Sequence, residues 1–559
     1  MEIKNFPESR KQFFDQINKD DLYKMPYSGL FRQSMLHFPN EELCIYIPEC
    51  THLSSQLVIL IADKDADRLA FFEASGWKAA ADARGFIVAL PDGKILDEAL
   101  ATIIEDVLRR DFYVANKNFI FAAGYGSGAA KAQRMVMNSP MAFAGLFLCG
   151  DPAVSAEELA ATQSMASEVP GVPRSCISMP VWIATEKITE NAQRVIEHWK
   201  KANRSESEPY FKDGSYTYFP KDNTNDSLID ELVGGKVIVT QTAEAIEPLK
   251  IWDSFLSRHA RYAGIGNWNL RLYRTAEEAG VEFKTMYVDG VRREWYQFVP
   301  ESVKNDPSRK VPLVVSFHGG SNMHRRHIAS TQWIKVAQAR GFIVVFPAAA
   351  MGGFSAKNDW LPHAAWNANK NPKALDDEKF IRLMVEQLIK ELPVDKGRVY
   401  SSGHSMGSAF GQRALLAMPD VFAAAALTSG VLRGGFFGDY NTPGIVEDHQ
   451  RPIWIIMGGR DIGGGDFDCN PDTLKFAQYW TKRDKTQPWD QPWTYKTGAY
   501  ATKVYVNSKG VPMVQFSTVD NKHHSATAQD SWFLYDEFLC KYSMDEQGRT
   551  VYMNSVVMD

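Results

Sequence analysis

The chain is written twice, and that constrains its fold more than any other feature. Placing residue n beside residue n+256 sets LVILIAD (57–63) against LVVSFHG (313–319) without a gap. The register continues through GWKAAADARGFIVALP (76–91) and QWIKVAQARGFIVVFP (332–347), which share a tryptophan (Trp77, Trp333) and the string RGFIV. Farther on the offset becomes 279, so that GYGSG (124–128) meets GHSMG (403–407), Pro140 meets Pro419 and Phe143 meets Phe422. An insertion of 23 residues between Pro347 and Gly403 accounts for the change. MPVWIA (179–184) then matches RPIWII (451–456) at offset 272, and IWDSFLSR (251–258) resembles LYDEFLCK (534–541) at offset 283. Two homologous domains follow, predicted at 1–262 and 263–559.

In each copy, short runs rich in Val, Ile and Phe alternate with amphipathic segments of helix length. That alternation reads as βαβ units, and the fold class is α/β, with a mostly parallel sheet flanked by helices in each domain. DDEKFIRLMVEQLIKEL (376–392) predicts one helix clearly, with Phe380, Leu383, Met384 and Leu388 on its apolar face and Asp376 and Asp377 at its start. Ahead of each sheet core a hairpin is expected, in the second copy turning at Asp289-Gly290.

Bulk properties exclude several function classes. Lys and Arg total 62 against 67 Asp and Glu, without long runs of either sign, so no electrostatic grip on nucleic acid or anionic membrane is expected. No apolar run reaches the roughly 18 residues that a spanning helix needs. The six cysteines form no CxxC pair and no dense framework, so reduced thiols and a cytoplasmic location are expected. An export signal removed beforehand would leave the same sequence.

The chemistry is concentrated in the second copy. RVYSSGHSMGSAFGQRALLAM (398–418) reads as a strand, a tight GHSMG turn and a helix, the context in which a serine is displayed as a nucleophile. Gly403 and Gly407 let strand and helix approach closely, and the helix start offers the N–H of Met406 and a positive dipole end to a developing oxyanion. The bland alternative is a serine in a turn that happens to be flanked by glycines. SFHGGSN (316–322) places a second oxyanion donor, Gly320 or Ser321, at the end of an early strand, with His318 beside the substrate.

An acid and then a histidine should follow the nucleophile. RPIWIIMGGRD (451–461) ends at Asp461, with Asp466 and Asp468 as rivals, and the loop after MVQFSTVD carries His523 and His524, of which His524 is favoured. His404 abuts the nucleophile but cannot easily swing back onto its neighbour's hydroxyl, so it is expected to line the pocket or pack. Trp360, His363 and Trp366, in the inserted stretch, are candidates for walls of an acyl or aromatic pocket, although core packing explains tryptophans equally well. His324 and His327 lack a third ligand, so a loop near the pocket mouth is expected and no metal. No cofactor is required.

Read through the repeat, each of these positions falls on an inert residue. Ser405 falls on Gly126, the HGG string on Ala62, Asp63 and Lys64, Asp461 on Thr189, and His524 on Gln241. The first copy is therefore expected to fold like an enzyme and catalyse nothing.

The segments PLVVSFHGG, RGFIVVFP, WNAN, DDEKFI, VDKGRVYSSGHSMG, PIWIIMGGRD and HHSAT together resemble the polyhydroxybutyrate depolymerase-like esterases, near the feruloyl and acetylxylan esterases of carbohydrate esterase family 1. The likeness covers about residues 280–540 and more faintly 30–258. It implies an α/β-hydrolase fold and a triad of Ser405, Asp461 and a histidine at 523 or 524. Two departures weigh against a polymeric substrate: many relatives have SNGG where this chain has SMGS (405–408), and many are secreted with disulfides. The expected activity is hydrolysis of a feruloyl, acetyl or short hydroxyacyl ester. The rivals are a peptidase or thioesterase on the same triad and, from another class, a non-catalytic binding protein.

Overall fold

The computed structural model describes residues 1–8, 18–109, 112–167, 171–221, 235–261, 270–320, 323–350, 364–434, 438–447, 449–461, 467–468, 471–553 and 555–556. These fall into two compact units. The first holds the described residues of Met1–Gln16, Lys24–Tyr262 and Gly266–Tyr273, and the second those of Ile17–Tyr23, Ala263–Ile265 and Arg274–Asp559. This differs from a single cut at 262/263 because a short early segment packs with the second unit and the strand Leu270–Leu272 pairs with His259–Arg261 in the first. There the Tyr23 hydroxyl donates to the Ala348 carbonyl (3.2 Å) from a fully buried position.

The second unit is built on a ten-stranded sheet. Its spatial order runs Glu282–Val288, Val291–Phe298, Ile343–Pro347, Val311–Phe317, Val394–His404, Ala424–Thr428, Ile453–Gly458, Pro512–Val519, Tyr500–Val506, Trp493–Thr497. The six strands from Ile343–Pro347 to Pro512–Val519 run parallel, and an antiparallel hairpin closes each edge. The first hairpin turns at Asp289 and Gly290, both at positive φ (52° and 74°), as the Asp-Gly pair predicts. In the central strands consecutive residues such as Val311–Phe317 are all buried, because helices cover both faces. The helix at Asp377–Glu391 forms as expected, with the Asp376 carboxylate accepting the Lys379 N–H. Ile381 and Val385, rather than Leu383, complete its buried face.

The first unit repeats this plan on an eleven-stranded sheet, and matching details fix the correspondence. The sheet register shifts between Ser55 and Leu57 and again between Val311 and Leu313, both at offset 256. Arg84 forms a two-pronged ion pair with Asp253 (2.8 and 2.7 Å), as Arg340 does with Asp536 (2.8 and 2.8 Å). Phe86 stacks on Trp252 as Phe342 stacks on Tyr535. Two successive strand orders of this kind, each with a strand–turn–helix elbow at its centre, define two α/β-hydrolase domains.

The last shared strand corrects one pairing read from the sequence. Val237 pairs with Val181 where Val514 pairs with Ile453, so the offset there is 277 and Gln241 answers to Thr518, not His524. The offset has risen to 283 at the closing helix, so the loop bearing His524 is six residues longer than its counterpart, TAEAIE (242–247), which contains no histidine.

Candidate active site

Ser405 stands at the end of the strand Val394–His404 and caps the helix Met406–Ala417. Its backbone is at φ 56°, ψ −119°, a region that non-glycine residues avoid. Packing imposes this conformation. A Cβ at Gly407 would lie 2.1 Å from the Phe317 carbonyl, and one at Gly403 would lie 2.4 Å from the Gly407 carbonyl, so the chain turns where strand and helix nearly touch.

Ser405 Oγ and His524 Nε2 are 2.7 Å apart, and His524 Nδ1 and Asp461 Oδ1 are 2.6 Å apart. A carboxylate can only accept, so Nδ1 carries the hydrogen, and in the neutral ring Nε2 is left to accept the serine hydroxyl. The Asp461 side chain is 1% exposed and His524 26%, so the acid end is sealed and the reactive end is open. The acid is held on its turn by its own N–H to the Gly458 carbonyl (3.0 Å). Of the pair at 523 and 524, it is His524 whose ring reaches the serine, while His523 offers its carbonyl to the Ser525 N–H. Of the rival carboxylates, Asp468 accepts from Trp489 Nε1 (2.6 Å) and pairs with Lys503, and Asp466 lies outside the described residues.

The HGG string lies against this turn. A Cβ on Gly319 would fall 3.2 Å from Ser405 Cβ, and one on Gly320 would fall 2.7 Å from Met406 Cε. Backbone at 319 thus lies directly against Ser405, and Gly320 packs on the Met406 side chain. Ser321, Trp360 and His363 lie outside the described residues.

Two expected pocket residues are instead interior. His318 is fully buried: its Nε2 accepts the Ala349 N–H (3.0 Å), and its Nδ1 lies 2.8 Å from the Gly319 carbonyl. Both ring nitrogens thus have main-chain partners, one at Ala349 and one at Gly319, which leaves none for substrate. Trp366 is 2% exposed, stacked on Phe410 and edge-on to Phe317, with Nε1 donating to the His318 carbonyl (2.8 Å). The alternative of core packing describes it. His404 is half-buried beside the site. Its ring centre is 5.1 Å from that of His524, and its Nδ1 meets Thr428 Oγ1 at 3.2 Å.

His324 and His327 occupy a helix, His324–Ser330, rather than a loop, and both rings are buried. Burial pushes the His327 pKa down to about 3, and its Nε2 meets Ser316 Oγ at 2.9 Å. Among the described residues no three His, Cys, Asp or Glu side chains gather as a metal site.

Sequence reasoning missed the shell beneath the histidine loop. Lys522 and Asp530, 0% and 2% exposed, form an ion pair at 2.9 Å, and Tyr500 donates to Asp530 Oδ1 at 2.8 Å. Burial, followed by the Asp530 charge, drives the Tyr500 pKa far upward and keeps it a donor. The sequence did carry one signal for this shell, the capping box that Thr527 and Asp530 form.

In the first unit the same elbow persists. Gly126 has φ 56°, ψ −125°, and its N–H donates to the Cys149 carbonyl at 2.9 Å, just as Ser405 donates to Thr428 at 2.9 Å. Here Asp63 fills the place that Gly319 holds in the second unit. Its Oδ2 accepts the Ser127 N–H (2.8 Å), the amide that corresponds to Met406, and Ser127 Oγ accepts the Lys64 N–H (2.8 Å). Backbone N–H groups, Ser127 first and then Asp65, hold the Asp63 carboxyl below its usual range.

Fold and site together define an α/β hydrolase with a serine elbow in its second unit. Residues 302–446 match the sequence model of the family described as Esterase PHB depolymerase. The chain is similar to the bifunctional acetylxylan esterase/xylanase XynS20E of Neocallimastix patriciarum (26% identity, 34% of this chain, 23% of that one). It is also similar to acetylxylan esterase A of Emericella nidulans (25%, 28% and 46%) and feruloyl esterase B of Piromyces equi (29%, 21% and 20%). These matches span less than half the length of the curated relatives. Among solved structures, an acetyl xylan esterase from Aspergillus awamori covers 44% of this chain and 94% of its own at 17% identity and a TM-score of 0.33. The sequence relatives are named as acetylxylan and feruloyl esterases, one of them also a xylanase.

Proposed function

We propose that the second unit is a serine carboxylic-ester hydrolase with Ser405 as nucleophile, His524 as base and Asp461 as the acid that orients it. The observation that carries the reading is the unbroken contact from Ser405 Oγ through the imidazole to the Asp461 carboxylate. His524 Nε2 takes the hydroxyl proton as Oγ attacks the ester carbonyl, and buried Asp461 stabilises the imidazolium so formed. The N–H groups of Met406 and Gly320 receive the oxyanion. The imidazolium returns its proton to the leaving alcohol, and water, activated by the same ring, releases the acid.

The substrates we propose are short or aromatic acyl esters: acetyl, feruloyl or hydroxyacyl. The acetylxylan and feruloyl esterases among the relatives support this. We take the first unit as non-catalytic, because glycine replaces the nucleophile and the Asp63 carboxylate occupies the amide that would bind an oxyanion. A cytoplasmic setting is part of the same proposal.

The test is a panel of methyl ferulate, acetylated sugars, hydroxybutyrate oligomers, acyl-CoA and peptide amides, run on wild type and Ser405→Ala. Ester turnover should vanish in the variant, and phenylmethylsulfonyl fluoride should add one adduct on the peptide containing Ser405. Preference for amide or thioester would replace the esterase reading, and an unlabelled serine would leave a binding protein.

A further inference from the structure

The loop that delivers His524 is the longer of the two homologous loops, and a loop of that kind holds an imidazole to a fraction of an ångström only if something closes it. One side chain does so. Asp530 Oδ2 receives both Lys522 Nζ (2.9 Å) and the Thr527 N–H (2.7 Å). Lys522 lies two residues before His524 and Thr527 three after, so a single carboxylate ties together the two ends of the segment that carries the ring. The other oxygen, Oδ1, takes the Tyr500 hydroxyl at 2.8 Å, and Tyr500 Oη also lies 3.1 Å from Thr527 Oγ1. That tyrosine starts the antiparallel strand Tyr500–Val506, so the tied loop is anchored to the sheet.

The same tie reaches the acid. The Arg460 N–H, adjacent to Asp461, donates to the Lys522 carbonyl at 2.9 Å. The approach is close: a Cβ at Gly458 would meet that carbonyl oxygen at 2.2 Å. The acid turn and the histidine loop thus hang from one residue, and its side chain ends on Asp530. Stability alone is a weak reason for such an arrangement, since an apolar pair of similar volume commonly serves as well as a buried ion pair. What an apolar pair cannot do is accept the Thr527 N–H and the Tyr500 hydroxyl at once.

Resting on the hydrolase reading above, we propose that Asp530, with Lys522, is a positioning residue that fixes the His524 ring between Ser405 and Asp461. Neither side chain touches substrate; each acts through the loop.

The test compares Asp530→Asn, Tyr500→Phe and the double variant Lys522→Met/Asp530→Leu with wild type in p-nitrophenyl acetate hydrolysis and urea unfolding. The double variant removes both charges but leaves the buried Thr527 N–H and Tyr500 hydroxyl without their Asp530 acceptor, so its unfolding midpoint should fall, while in the protein still folded without urea kcat falls about tenfold or more and KM moves less than about twofold, as misplacement of a base predicts. Tyr500→Phe should lose kcat more mildly at unchanged KM. A folded double variant with the kcat of wild type would overturn the proposal. If the double variant does not fold, Asp530→Asn decides: a folded protein with undiminished kcat overturns the proposal, and a selective loss of kcat supports it. Ser405→Ala, run beside them, separates the two questions, because turnover surviving in that variant defeats the hydrolase reading itself.

Discussion

Ser405 and Gly126 hold the same backbone conformation, φ 56° with ψ −119° and −125°, but only one of them is a glycine. A side chain held in that region costs about 1–3 kcal/mol. Replacing it with glycine discharges the strain, against about 0.4–1 kcal/mol for the extra freedom of the unfolded chain. The right comparison is Ser405→Gly with Ser405→Ala. Both lack the hydroxyl and its contact with His524, so that interaction drops out, and only the alanine keeps the strained Cβ. The glycine variant should therefore be more stable by about 1 kcal/mol, with an upper end near about 2.5 kcal/mol. In a unit of this size that is a rise of roughly 2–4 °C per kcal/mol. Calorimetry on the two variants reads it directly, since the first unit is identical in both. Neither variant should hydrolyse esters. If Ser405→Gly melts at or below Ser405→Ala, the elbow is not strained and the reasoning fails.

Asp461→Asn should retain the fold and lower kcat by about 10⁴-fold, because an amide favours the wrong imidazole tautomer; a loss below tenfold would remove Asp461 from its role. His327 sits at a pKa of about 3 when folded against 6.5 when exposed, so the unfolded chain binds the extra proton. Stability from its neutral form is complete above about pH 7 and is lost as pH falls from 6.5 towards 3, the loss reaching about 2 kcal/mol by pH 5. Urea unfolding of wild type and His327→Gln at pH 7.5 and 5 should show that much less pH dependence in the variant, and equal slopes would contradict it. Gly407→Ala, whose Cβ would sit 2.1 Å from the Phe317 carbonyl, should cost about 3 kcal/mol or more and abolish activity. In the first unit Gly126→Ser should gain neither turnover nor a phenylmethylsulfonyl adduct, because the new Cβ meets Asp63 Oδ2 at 2.3 Å; a second labelled serine at 126 would refute the assignment of that copy.

The parts of this fold that were legible are those written in local pattern. The Asp289-Gly290 turn, the strand–GHSMG–helix elbow and the helix at Asp377–Glu391 each follow from a few adjacent residues whose backbone preferences agree. His318 and Trp366 were misplaced for a shared reason. Adjacency to a glycine loop or to an insertion says that a residue is near a site, but not which way its side chain turns. His318 points inward because the Ala349 N–H and the Gly319 carbonyl satisfy both its nitrogens. The pairing of His524 with Gln241 failed because an ungapped offset carried back from the closing helix skips the place where loop length changed. Lys522 and Asp530 were invisible as a pair: burying two opposite charges depends on tertiary contacts, and only the capping box at Thr527 hinted that Asp530 was occupied.

The first unit shows which part of the elbow belongs to the fold and which to the chemistry. Its turn keeps the geometry although it has no nucleophile, since Gly124 and Gly128 repeat the close approach: a Cβ at Gly124 would meet the Gly128 carbonyl at 2.4 Å. The first amide of the helix after such a turn has no partner within the helix, and a helix N–H without a partner is costly. In an active copy that amide is kept for an oxyanion that arrives only during the reaction. In the first copy Asp63 supplies a permanent anion instead, and the Ser127 N–H holds its carboxyl below the ordinary range. On the proposal that the first copy does not catalyse, more than a serine is missing there: the donor is satisfied from within by Asp63, so Ser at 126 alone is expected to restore nothing while Asp63 remains.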